Sequence, residues 1–164
     1  LSHIIVIYSS YFYVRGLTDY KFHFLSVCNE NFNNNFVTGV VITVDEIAGV
    51  IIISAACSDG HGGESFRKTL AEAPSPQAVL DQIIQVPRNK TVPDQWESQI
   101  LARVLTKAEV ILVSPEIDPK LPLSMHMKHA VSLEEALQTA RSSCGSAAPR
   151  ISVMPDGVSV IVSQ

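Results

Sequence analysis

Apolar positions along this chain follow two periods. "HIIVIYSS" (3–10), "GVIIISAA" (49–56) and "EVILVSP" (109–115) are near-continuous runs rich in β-branched residues, the pattern of strands covered on both faces. The segments between them switch to helical spacing. "ESFRKTLAEA" (64–73) sets Phe66 and Leu70 four apart and predicts a short helix. "SPQAVLDQIIQV" (75–86) predicts a second, with Ser75 as N-cap and Pro76 at the first position, where a missing N–H costs nothing. "DQWESQILARVLTKA" (94–108) predicts the clearest helix, capped by Asp94 with Glu97 reaching back. Trp96, Ile100, Leu101, Val104 and Leu105 are expected to form its apolar stripe. In "SLEEALQTARSSCG" (132–145), Ser132 and Glu135 make a capping box and Gly145 a stop. "RISVM" (150–154) and "VSVIV" (158–162) flank the turn signal "PDG" and predict a hairpin at a sheet edge.

Strands separated by helices pair in parallel through right-handed crossovers. The predicted fold is therefore α/β: a three-layer α/β/α sandwich, its sheet mostly parallel with an antiparallel C-terminal edge hairpin. Ligands of such sheets bind at the carboxyl ends of the strands, where "CSDGHGG" (57–63) and "SPEIDP" (114–119) both fall.

Composition narrows the class. A chain of 164 residues suits one domain, 1–164. No apolar run approaches the roughly 20 residues of a membrane span, and no signal peptide is legible, so a soluble, cytoplasmic protein is expected. Three cysteines without a C-x-x-C spacing fit a reduced compartment. A net charge of −4 with scattered basic residues gives no nucleic-acid stripe. The "NKT" sequon (89–91) reads as chance without a secretion signal. The chain opens on Leu1 and enters a strand almost at once, as expected of a domain cut from something longer.

Composition also changes sharply near residue 48. Nine of eleven aromatic residues precede residue 37, and all nine prolines follow residue 73. The asparagine-rich "CNENFNNNF" (28–36) fits no periodic pattern. Residues 10–48 are either a long unusual loop or a stretch whose coding sequence differs, through a frameshift. Peptide masses across "FLSVCNENFNNNF" decide between the two.

Candidate chemistry concentrates in the loop Asp59, Gly60, His61, Gly62 and Gly63. Glycines let the backbone approach a ligand, and the helix starting near Glu64 presents free N–H groups to an anion. The G-x-G-x-x-G and Walker spacings are missing, so a plain turn stands beside the ligand loop as a reading. His61 has the chemistry of a base or metal ligand and Cys57 that of a nucleophile, but no third, orienting group is legible. A surface histidine and a strand-end cysteine are the simpler readings. His126 and His129 of "HMKH" stand three apart, a metal pair only if helical and only with further ligands, which the sequence does not supply. Trp96 is expected to be buried on its own stripe, with a pocket role open to it at the head of its helix.

Taken in order, "GVIIISAACSDGHGGESFRKTL", "DQWESQILARVL", "VILVSP", "SLEEAL" and "ISVMPDGVSVIV" resemble the C-terminal domain of the nickel-dependent lactate racemase family, over about residues 49–164, with "HIIVIYSS" matching its opening strand. The resemblance implies a two-domain isomerase. It would racemise or epimerise a 2-hydroxy acid by hydride transfer to a nickel-pincer nucleotide held by the N-terminal domain. It implies no catalytic residue, no metal ligand and no cofactor in this chain, whose partners would be the small 2-hydroxy acid and that N-terminal domain. Trp96 of "DQW" would contact substrate, and the "DGHGG" loop would form the cleft rim. The family's "GGYPLD" loop and its glutamine–lysine pair have no counterpart in "YFYVRGLTDYKFHF" (11–24), where Lys21 does not align. The alternative reading is a noncatalytic α/β module that binds a small ligand.

Overall fold

A computed structural model describes residues 3–8, 49–57, 61, 63–92, 95–145 and 149–154, with backbone alone for 3–8 and 154. Its elements are β1 (His3–Tyr8), β2 (Gly49–Ser54), α1 (Glu64–Glu72), α2 (Pro76–Ile84), a 3-10 turn (Arg88–Lys90), α3 (Gln95–Leu105), β3 (Ala108–Val113), α4 (Lys120–Ser124), β4 (Lys128–Ala130), α5 (Leu133–Cys144) and β5 (Arg150–Met154).

The strands form one sheet in the order β4-β3-β2-β1-β5. All four described pairings are parallel, with Ile51 opposite Val110 and Ile5 opposite Ile51 in register. The chain therefore steps outward from β1 to β4, then returns to place β5 on the far side of β1. Right-handed crossovers require opposite faces for the outward and returning connections. The buried side chains obey this. Ile51, Ile53, Val110 and Leu112 pack with Phe66, Leu70, Val79 and Leu101 of α1–α3. Val50, Ile52, Ile111 and Val113 turn the other way, onto Ala136 and Ala140 of α5. β2 and β3 are thus covered on both faces, which is why they read as unbroken apolar runs.

The helices begin where the capping chemistry says. The Ser75 hydroxyl accepts from the Ala78 N–H at 3.2 Å, and Ser132 does the same for Glu135 at 3.2 Å. The Glu135 carboxylate reaches back to the Val131 N–H at 2.9 Å, one residue before the cap. Gly145 ends α5 at φ 59°, the left-handed conformation in which a Cβ is costly. Phe66 and Leu70 are fully enclosed, each stabilising the α1 face by about 1.5–3 kcal/mol.

Trp96, expected in the core, is instead 51 % exposed. The α3 stripe that meets the core is Ser98, Leu101, Ala102 and Val104. At 100° per residue Trp96 falls in line with Ile100 and Arg103, on the flank of that stripe. "HMKH" is no helix: His126 sits at φ 64° in a turn, and His129 lies in β4. The first arm of the expected hairpin is β5, parallel to β1, while the "PDG" turn and second arm lie outside the described residues. The expected Asp94 cap also lies outside them.

Candidate functional site

The segments leaving β2 and β3 build the carboxyl edge of the sheet. β2 ends at Ser54, and the chain continues through Ala55, whose N–H donates to Val113 O at 3.1 Å. At Cys57 it turns into a positive φ of 53°. The Cys57 side chain is buried in the α1–α3 core, 7 % exposed, and its sulfur is held in a disulfide, which leaves no thiolate to attack. The nucleophile reading of Cys57 thus gives way to that of a strand-end core residue.

His61 stands just before α1 with its side chain 32 % exposed. Its Nε2 lies 3.3 Å from Glu64 Oε2, one helical turn ahead. Arg67 engages both oxygens of Glu64, its Nη2 donating to Oε1 at 2.6 Å and its Nε to Oε2 at 3.0 Å. The Arg67 hydrogen bonds hold the Glu64 carboxyl below the ordinary glutamate range. This trio supplies the orienting group for His61 that the sequence reading did not find. Its signal was the i, i+3 spacing of His61, Glu64 and Arg67, overlooked because Glu64 was read only as a helix starter.

The anion-accepting character of this edge is reduced by the same trio. Gly63, the N-cap of α1, provides no side-chain cap, and Glu64 places a negative charge in the first turn. A carboxylate there already complements the helix dipole. Of the rim residues expected from sequence, Asp59, Gly60 and Gly62 lie outside the described residues, whereas His61 and Gly63 stand between β2 and α1.

Trp96 occupies the first turn of α3. α3 enters β3 through the two residues Thr106 and Lys107, so it runs back along β3, with its N-terminus at the strand's carboxyl end. The exposed indole and the His61 trio therefore belong to the same edge of the sheet.

The neighbouring β3–β4 edge is closed by hydrogen bonds. Ser114, fully buried, fills it: its hydroxyl donates to Ala56 O at 3.0 Å and its N–H to Ala130 O at 3.2 Å. His129 Nε2–H donates to Ser114 O at 2.8 Å. His126 faces elsewhere, its Nε2–H shared between Leu70 O at 3.0 Å and Ala73 O at 3.1 Å. The two histidines thus serve separate carbonyls and make no metal pair. Among the described residues no group of three or more His, Cys, Asp or Glu side chains is placed to hold a metal.

A cleft of about 480 Å³ opens at the opposite, amino-terminal edge, between the ends of α3 and α5. Its Glu109 carboxylate is met by Lys128 Nζ at 2.6 Å and by the Ser143 hydroxyl at 2.9 Å. The charges there satisfy one another. No helix among the described residues is long and apolar enough to cross a membrane.

Comparison with known proteins gives this geometry a family context. Residues 37–162 match the family described as "Lactate racemase C-terminal domain". The chain is 49% identical over 114 residues to a lactate racemase of Lactiplantibacillus plantarum, a match covering 70% of this chain and 27% of that protein. To a lactate racemase of Thermoanaerobacterium thermosaccharolyticum it is 47% identical over 116 residues, covering 71% of this chain and again 27% of the relative. The lactate racemase apoprotein structure from the latter organism superposes with a TM-score of 0.65 at 46% identity, over 71% of this chain and 28% of that one. The chain spans little more than a quarter of the length of these relatives.

Proposed function

Because the chain belongs to the lactate racemase C-terminal domain family, we propose that it is one wall of the substrate cleft in a racemase or epimerase of a 2-hydroxy acid. The observation that carries this reading is the half-exposed Trp96 at the carboxyl edge, within a segment nearly half identical to two lactate racemases. An exposed indole offers a ligand a broad apolar face and one N–H donor. The relatives' length supports a second domain in the complete protein, and in this reading that domain carries the reaction centre.

The described residues do not fit a nickel centre. His126 and His129 are divided between two sets of backbone carbonyls, and His61 is paired with Glu64 alone, with no group of three or more such side chains among the described residues. In this reading the nickel-pincer nucleotide and the hydride transfer it supports therefore reside on the remainder of the protein, and no step is derived through them. What this chain contributes is shape and polarity: the indole of Trp96 shields the substrate from water and offers an N–H donor, and the His61–Glu64–Arg67 trio lines the rim.

In the full-length protein, Trp96→Ala should lower kcat/KM for a 2-hydroxy acid at least tenfold, about 1.4 kcal/mol. The melting temperature should move by no more than a few degrees, since half of the side chain is already in water. Trp96→Phe should recover part of the activity. Unchanged turnover in Trp96→Ala would remove the residue from the site, whereas a wild-type protein without turnover would favour a noncatalytic ligand-binding module.

A further inference from the structure

β5 carries an apolar face that stays open among the described residues. Its side chains alternate, with Ile151 and Val153 on one face and Arg150 and Ser152 on the other. Through Ile4 and Val6 of β1, Ile151 is in register with Val50 and Val153 with Ile52, which places both on the α5 face of the sheet. Val50 and Ile52 are buried there, yet Ile151 and Val153 are 42 % and 55 % exposed. Strands of parallel sheets are usually covered on both faces. Outward connections run over the α1–α3 face, which leaves the other face to the return through α5. That helix meets β1 to β4. Its Ser143 accepts from Lys128 Nζ and donates to Glu109, so that flank looks toward β3 and β4. At 100° per residue Leu133, Leu137 and Cys144 fall on the opposite flank, toward β1 and β5, and all three are only partly buried. The result is an apolar trough, walled by Leu137 and floored by Ile151 and Val153.

We propose that an amphipathic helix from the chain preceding residue 1 in the complete protein docks in this trough and fixes the rest of the protein to this domain. The matched family is a C-terminal domain, and the matches cover 27% of two relatives, so most of such a protein lies ahead of β1. β1 lies beside β5, and His3 at its start is in register with Arg150 at the start of β5. A segment arriving there already stands at the amino end of the trough. Two strand residues and one helix flank offer far less than the roughly 1,200 Å² that a stable association of separate molecules buries. A segment of the same chain needs no such area, because its tether gives it a high local concentration. Size and connection therefore favour the preceding chain over a second copy. The inference rests on the family membership and stands apart from the activity proposed above.

The test uses the full-length protein and compares Val153→Cys with Leu123→Cys, since the two positions are equally exposed in this chain, 55 % and 56 %. Reaction with a maleimide, followed by peptide mass, should be about tenfold slower in the Val153→Cys variant, because the docked helix must open first. Limited proteolysis then identifies the occupant. Val153→Glu should speed cleavage in the segment just ahead of residue 1 about tenfold, and Leu123→Glu should leave it unchanged. Val153→Ser should act in the same direction to a smaller extent, so a folding defect in the glutamate variant does not decide the result. Equal thiol rates at the two positions would overturn the proposal. Protection at position 153 that disappears on dilution would overturn it in favour of a second copy. Protection with unchanged cleavage ahead of residue 1 would overturn it in favour of another part of the chain.

Discussion

His126 gives the sharpest quantitative expectation, because two separable effects act on one residue. Its Nε2–H is shared by Leu70 O and Ala73 O, carbonyls at the end of α1 that no intrahelical N–H reaches. α1 has no basic residue in its last turn, so this imidazole from a turn more than fifty residues away closes the helix. The same residue sits at φ 64°, where an L side chain other than Asn or Asp is strained by about 1 kcal/mol. His126→Ala removes the hydrogen bond and keeps the strain, so it should destabilise by about 1–2 kcal/mol. For a chain of this size that is a fall of roughly 3–6 °C in melting temperature. His126→Gly loses the same bond but relieves the strain, and should cost less than half as much. Urea unfolding followed by circular dichroism measures both. A glycine variant as unstable as the alanine variant would refute the strain argument, and two variants as stable as the wild type would refute the cap.

Two further outcomes rest on the electrostatics. Glu64 titrates below the ordinary glutamate value of about 4.3 because Arg67 donates to its charged form. A lowered folded-state value means the pair's contribution is present above the unfolded value and is lost as pH falls through the folded one. An NMR titration should place the Glu64 midpoint below 4.3 and show it rising in Arg67→Gln; a midpoint indifferent to Arg67 would contradict the pairing. Cys144, half-buried at the end of α5, has its thiol pushed above the ordinary range, first by burial and then by the Glu109 charge. It should react with a thiol reagent at pH 8 more slowly than a free cysteine, and faster in Glu109→Gln. A rate equal to that of free cysteine would show that the α5 end is open.

How much could be read from the sequence was governed by whether each signal is local. β2 and β3 were legible because burial on both faces leaves every position apolar, and α2 and α5 because a serine three residues from an N–H caps a helix by itself. Trp96 was misplaced because an apolar residue was counted into the nearest stripe; only the position of α3 against the sheet shows that Ser98, a polar residue, takes the inward place. "HMKH" failed for a related reason. The spacing of His126 and His129 invites a shared ligand, yet each ring is spent on a backbone carbonyl distant in sequence, at Leu70 and at Ser114, and distant acceptors leave no mark in a local pattern. The His61–Glu64–Arg67 trio was local and still overlooked, since attention went to the glycines around it. The charge pattern just beyond them sets His61 Nε2 against the Glu64 carboxylate, which Arg67 holds in turn.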